Sequence, residues 1–285
     1  MFSSIIRLGV AVSSAAILSS CGGSSVTETQ QSTPEGVFTG TVTVPVTVVS
    51  LDGAVNTIFQ SQSILAFVVD SGVYYAFYTA TGSPSIPLGA AEGTFAFSGG
   101  NMTAADTENV TLPFTLSGGT VAGTVTNPSF TGAYNTGVNI AGTLSYPLSG
   151  ATEVFNLSYN AGYQGVQDLG TLAGTYTGTV GSSSLSENAT FTFSPATVPA
   201  NSGNSFGVAT ITGTGASGCT YTGTVSPLYK GNGYTTVITS GASPCLLPGT
   251  EYTGLIYLNT TTNILYSYAP DVARTDGLIF VGTKI

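Results

Sequence analysis

Beyond its first 34 residues the chain is written in a period of two. Phe38, Gly40, Val42, Val44, Val46 and Val48 fall on one side of an extended backbone, and Thr39, Thr41, Thr43 and Thr47 fall on the other. Side chains alternate across a strand, so this spacing predicts a half-buried β-strand. Pro45 interrupts it and implies a bend or a sheet edge. No stretch after Cys21 sustains a 3.6-residue apolar period, so long helices are not expected. Valine, threonine and aromatic side chains reinforce the all-β reading.

The opening strand is echoed downstream. Gly36-Val37-Phe38-Thr39-Gly40-Thr41-Val42 returns as Gly174-Thr175-Tyr176-Thr177-Gly178-Thr179-Val180. It returns again, with one extra residue, as Gly218-Cys219-Thr220-Tyr221-Thr222-Gly223-Thr224-Val225, and Tyr252-Thr253-Gly254 is a fragment of it. The aromatic and the glycine share a face, and the glycine leaves room for a neighbouring ring or a sharp bend. The clearest hairpin joins 64–69 to 73–78 through Asp70-Ser71-Gly72. Further strands are expected at 93–98, 110–116, 120–125, 138–145 and 153–159. The second half is expected to carry strands at 174–181, 189–194, 206–213, 218–226, 234–240, 250–259, 263–269 and 277–284. The pattern predicts two similar antiparallel domains of about eight strands each, residues 35–166 and 170–285, as small barrels or sandwiches. Closure into a barrel would remove exposed strand edges, which few lysines guard here. A membrane-spanning barrel is not expected, because most strands are shorter than the roughly 9–11 residues that crossing needs.

The start of the chain has a different design. Met1 to Ser20 carries one charge, Arg7, then the apolar run Leu8 to Leu18, then small residues before Cys21. That is the layout of an export signal, too short in its apolar part for a membrane span. Leu18-Ser19-Ser20-Cys21 resembles the lipobox of bacterial lipoproteins. The resemblance implies cleavage before Cys21, acylation of its thiol and new amino terminus, and anchoring by acyl chains. One acyl chain holds weakly and several hold durably. Gly22, rather than Asp, after the cysteine implies the outer membrane. Residues 1–20 are then the signal peptide and 21–34 a Ser/Thr/Gln-rich flexible tether. With its lipobox, Gly-aromatic-Thr-Gly strands and paired halves, the chain resembles Gly/Thr/Tyr-rich β lipoproteins of Gram-negative bacteria. It also looks like the surface lipoproteins built from small barrels, the transferrin-binding-protein-like lipoproteins among them. No functional residue of those families maps onto this sequence.

Charge narrows the partners. The chain has 42% hydrophobic residues and 6% charged ones, with 4 Lys+Arg against 13 Asp+Glu. Loss of Arg7 with the leader makes it more acidic still. There is no basic patch for phosphates, so nucleic acid is not an expected partner. The two cysteines beyond Cys21, Cys219 and Cys245, read as a disulfide of an oxidising compartment. A zinc site is disfavoured by their long spacing and by the absence of histidine.

The same absence of histidine excludes Ser-His-Asp and Cys-His catalysis, and no phosphate-cradling glycine loop is present. The carboxylates Asp52, Asp70, Glu92, Asp106, Glu108, Glu153, Asp168, Glu187, Glu251, Asp271 and Asp276 are expected as solvated turn charges, with a glycosidase-like pair as the alternative. Asp271-Val272-Ala273-Arg274-Thr275-Asp276 is the densest charge cluster. It is expected as a loop in which Arg274 pairs with a neighbouring Asp, with calcium or a polar ligand as the alternative. Tyr74-Tyr75-Tyr78 and Tyr266-Tyr268 are expected to pack across strands, or else to line a ligand face. No catalytic residue, metal or cofactor is expected. The leading expectation is a non-enzymatic binding or interaction module of the envelope, with an unknown protein or small-molecule ligand. A structural or assembly lipoprotein supporting an outer-membrane complex is the alternative, and a carboxylate-dependent hydrolase comes third.

Overall fold

The computed structural model describes residues 33–49, 53–116, 119–165, 168–195 and 207–285. The expected signal peptide, Cys21, nearly all of the tether and Asp52 lie outside the described residues. The fold is all-β, with two lobes in one compact unit, Gln31–Ile285.

The second lobe is a closed eight-stranded antiparallel barrel. The first lobe contributes β1 (Gly36–Val49), β2 (Val55–Val68), β3 (Val73–Ala80), β4 (Ser83–Thr94), β5 (Ala96–Ser98), β6 (Asn101–Ala104), β7 (Glu108–Thr111), β8 (Phe114–Leu116), β9 (Gly119–Val121), β10 (Thr124–Thr126), β11 (Ser129–Asn135), β12 (Asn139–Ser145) and β13 (Thr152–Asn160). The barrel runs β14 (Gly174–Gly181), β15 (Ser186–Pro195), β16 (Ala209–Gly215), β17 (Thr220–Pro227), β18 (Gly233–Ser240), β19 (Glu251–Asn259), β20 (Ile264–Pro270) and β21 (Gly277–Lys284). All eight expected strands of the second half are present, within a few residues of the expected bounds.

Plain alternation builds the barrel. In β16, Ala209, Ile211, Gly213 and Gly215 are buried while Thr210, Thr212 and Thr214 face solvent. The inward aromatics Tyr176, Phe191, Phe193, Tyr221 and Phe280 fill the interior, as expected for a barrel of about this size. The short helix α1 (Leu169–Leu172) closes the end where β14 begins, held by Tyr176 Oη donating to the Leu172 carbonyl at 2.8 Å. At the other end Cys219 and Cys245 form a disulfide that ties the β18–β19 loop to the start of β17. The glycine of the repeated motif marks close strand approach. A Cβ on Gly178 would lie 2.0 Å from the Val281 carbonyl, on Gly223 2.2 Å from that of Val237, and on Gly254 2.0 Å from that of Tyr268.

The first half departs from its expectation. Among the described residues it holds thirteen strands rather than about eight, and they make a curled open sheet, neither a closed barrel nor a sandwich. The path is β10-β7-β4-β3-β2-β1-β13-β12-β11-β6-β5, with β9 bridging β1 to β8. Strand β4 escaped the sequence reading because Pro84 and Pro87 demote it and its pairing with β3 shifts register near Thr79. Phe95 alone separates β4 from β5, so the two flanks of the sheet approach each other. Among the described residues the ends of that path, β10 and β5, do not pair with each other, so the sheet stays open; inside it β1 pairs with β13 only over Val37–Thr39, while its whole length pairs with β2. The motif also recurs inside the barrel, twice in full and once as a fragment, each time with its glycine against the carbonyl of a neighbouring strand.

A third core joins the lobes. Val37, Leu65, Phe67, Phe77, Ala90 and Val110 turn outward from the curled sheet and meet Leu255, Tyr257, Ile264, Tyr266, Tyr268, Ile279 and Val281 on the outside of the barrel. Every residue of β20 is buried. Unbroken apolar runs, such as 64–69 and 278–281, are the sequence form of strands covered on both faces.

Candidate functional site

Two places gather the polar side chains singled out in the sequence. The first is the junction between the lobes. The 271–276 loop links β20 to β21, as expected, but Arg274 does not pair with Asp271 or Asp276. It reaches the other lobe, with Nη2 2.9 Å from Glu92 Oε2, Nε 3.6 Å from Glu108 Oε2 and Nη1 3.8 Å from Asp106 Oδ2. Nη2 also donates to the Asp106 carbonyl at 2.7 Å. Tyr268 Oη donates to Glu108 Oε1 at 2.7 Å. Glu108 is 1% exposed, because β7 puts it on the same face as Val110, against the barrel. Burial raises the pKa of both Glu92 and Glu108; Arg274 opposes the rise at both, and the Tyr268 hydrogen bond does so at Glu108. Asp271 accepts from Thr275 N and Oγ1, and Asp276 from Ser183 N and Oγ and from Gly277 N. Asp271 thus braces its own loop and Asp276 ties that loop to the β14–β15 turn, and no group of three or more metal-ligating side chains occurs among the described residues. Carboxylates do converge, as a glycosidase pair would require, but here a guanidinium occupies the space between them.

The tyrosines divide. Tyr75 meets Tyr268 edge-on across the lobes with centroids 6.5 Å apart, Tyr257 stacks with Tyr266, and Tyr74 stacks on Phe95 at 4.0 Å. These are packing contacts. Tyr78 shares the inward face of β3 with Tyr74, opposite to Tyr75, and lines the second polar place.

That second place is a pocket of about 160 Å³ where the curled sheet fails to close. Its walls are Val44 of β1, Gln62 of β2, Tyr78 of β3, Leu88 and Gly89 of β4, Asn109 and Thr111 of β7, and Tyr146 and Glu153 from the β12–β13 hairpin. Thr124 and Ser149, both exposed, stand at its rim. Each buried polar group arrives in phase with an apolar stripe. Glu153 shares the inward face of β13 with Phe155 and Leu157, and Gln62 shares that of β2 with Ile64 and Ala66. Glu153 is 8% exposed and Gln62 5%.

Glu153 is the chemical centre of the pocket. Burial pushes its carboxyl up to about 7, against a hydrogen bond from Tyr146 that favours the ionised form. Asn109 Nδ2 donates to Tyr146 Oη at 3.0 Å. The phenol, already accepting there, turns its own hydrogen to Glu153. Among the described residues no cation offsets the carboxylate. The three described cations stand elsewhere: Lys230 on Glu35, Arg274 at the lobe junction, and Lys284 Nζ donating to the Thr171 carbonyl at 2.7 Å. Burial also raises the Tyr78 and Tyr146 phenols well above their usual range, so both stay neutral.

The expectation that the carboxylates are solvated turn charges therefore needs correction at Glu108, Glu153 and Asp276, all buried. Sequence reasoning missed Glu153 as a site residue, although its signal was present: Glu153, Phe155, Leu157 and Tyr159 hold one phase of a clean alternation.

No family model matches the chain, and no curated protein matches it. Among solved structures the chain is similar to a crystal structure of transferrin binding protein B, a vaccine antigen from Haemophilus parasuis. The two share 10% identity and a TM-score of 0.30, over 87% of this chain and 76% of that one.

Proposed function

We propose that the protein is a lipid-anchored, non-enzymatic binding protein of the bacterial envelope, whose ligand enters the open end of the curled sheet. The pocket around Glu153 carries this reading. A buried carboxyl without a protein cation is costly to keep, and it lines a space comparable to the roughly 150 Å³ cavity known to hold benzene. The pocket holds one carboxylate, so the two-carboxylate arrangement of a glycosidase is not assembled there. In this reading Cys21 carries the acyl chains, residues 21–34 form the tether, and the two lobes form the exposed body. The outer membrane is the proposed site.

Two measurements test it. Intact-mass analysis of protein extracted from membranes is expected to find a mature chain starting at Cys21 with added acyl mass; a chain starting elsewhere, or without that mass, would defeat the anchor. Native mass spectrometry of the same material is expected to show a small bound molecule. Ala151 also lines the pocket, and the molecule should be absent from an Ala151→Trp variant that obstructs it. A molecule retained by that variant would place the ligand somewhere else. Substrate turnover abolished by Glu153→Gln would replace binding with catalysis.

A further inference from the structure

The lining of the pocket says what kind of ligand it can receive. Among the described lining residues the charged group, Glu153, accepts when ionised, while Gln62, Asn109 and the hydroxyls can each donate or accept. An ionised carboxylate offers about four lone-pair sites, and Tyr146 takes one. Asn109 spends one N–H on Tyr146 and retains a second N–H and its amide oxygen. The hydroxyl oxygens of Thr111, Thr124, Thr126 and Ser149 add further acceptors around the opening. Two aromatic rings, Tyr78 and Tyr146, stand in the wall, and ring faces attract cations. Among the described residues the titratable groups lining the space are Glu153, Tyr78 and Tyr146, so the charge they bring to it is negative. An anionic ligand would meet repulsion. A neutral ligand would leave the carboxylate uncompensated. A compact cation with several N–H donors would satisfy charge and hydrogen bonding together.

We infer that the pocket binds a small primary ammonium compound, its –NH3+ group received by Glu153 beside the Tyr78 and Tyr146 rings. The inference rests on the reading of this pocket as the ligand site. The volume limits the ligand to at most about ten non-hydrogen atoms by comparison with the benzene cavity. An ammonium presents three donors, one for the carboxylate and others for neighbouring oxygens. Aliphatic ammonium groups stay protonated at pH 6 and at pH 8, whereas the Glu153 carboxyl, raised to about 7, ionises between them. The complex should therefore tighten as pH rises.

The test uses the full mature chain with methylammonium, ethanolammonium and butylammonium as probes, against methanol, ethylene glycol and pentanol. Binding is read by ligand-observed NMR and by calorimetry at both pH values. At least one ammonium probe is expected to bind about tenfold more tightly at pH 8 than at pH 6. The neutral compounds should bind weakly and without that dependence. Glu153→Gln, which keeps the shape of the side chain, should remove the pH dependence and weaken ammonium binding at least tenfold at pH 8. Binding of neutral compounds as strong as that of their ammonium partners, unaffected by Glu153→Gln but lost in Ala151→Trp, would overturn the ammonium inference and leave the pocket as a binding site. Failure of all six probes to bind in the millimolar range would overturn both.

Discussion

Strands β16 and β13 are written in the same alternating code but line different interiors. In β16 the inward positions are Ala209, Ile211, Gly213 and Gly215. In β13 they are Glu153, Phe155 and Leu157. The difference follows from closure. Each barrel strand has a partner on both edges, so the interior has a fixed width and side chains fill it. In the first lobe β1 leaves β13 after three paired residues, and the gap admits groups that a filled interior would reject. One lobe gains rigidity from being sealed; the other gains a chemical cavity from being unsealed.

Four substitutions probe that contrast, taken from the largest expected effect downward. Gly178→Val should strike the sealed lobe hardest. Its Cβ would meet the Val281 carbonyl at 2.0 Å, and backbone cannot step aside as a side chain tip can. We expect a loss of about 4 kcal/mol in urea unfolding, or no folded protein; a loss below about 1 kcal/mol would show that the barrel is less tightly set than its register implies. Replacing Cys219 and Cys245 together by Ser reopens a loop of sequence separation 26, and should cost about 3.5 kcal/mol on the chain-entropy account. An unchanged midpoint after reduction of the wild-type protein would contradict it.

Arg274→Met tests the junction. It keeps side-chain length while leaving Glu92 and the buried Glu108 without their cation, and should cost about 3 kcal/mol. Adding Glu108→Gln should restore part of that loss; strict additivity of the two changes would mean that the groups are not coupled.

Glu153→Gln should do the reverse and stabilise the protein. The folded-state pKa is raised from 4.5 to about 7. Below pH 4.5 both states hold the proton and no penalty exists. Between 4.5 and about 7 the unfolded chain ionises first, so stability falls as pH rises, and above about 7 the full penalty stands. The variant should therefore match wild type near pH 4 and exceed it by about 2–3 kcal/mol at pH 8. Because Glu92 and Glu108 also titrate high, the quantity to measure is the difference between the two proteins across pH. A constant difference would sink the assignment.

The sequence made much of the barrel legible because β14 to β17 follow one rule, inward apolar or Gly and outward Thr or another polar residue with turns between, and β19 to β21 show as apolar runs. Gly174–Gly181 and Gly277–Lys284 are found with the bounds that alternation predicts. The curled sheet was less legible because its short strands break that rule. Prolines interrupt β4, and β5 to β10 hold only three or four residues each. The junction was hidden for a different reason. Arg274 and Glu108 are 166 positions apart, and nothing local couples them. Glu153 could have been found, because a carboxylate in phase with Phe155 and Leu157 must either break the strand or enter the core.

Strands β19 to β21 serve as a partition with side chains packed on either side. A protease cut in the linker that joins the lobes would sever the chain without parting it, since the fragments would still share that wall. Expressed alone, either fragment would turn an oily plane of tyrosine, leucine and phenylalanine to water, and would be expected to clump unless something else covered it.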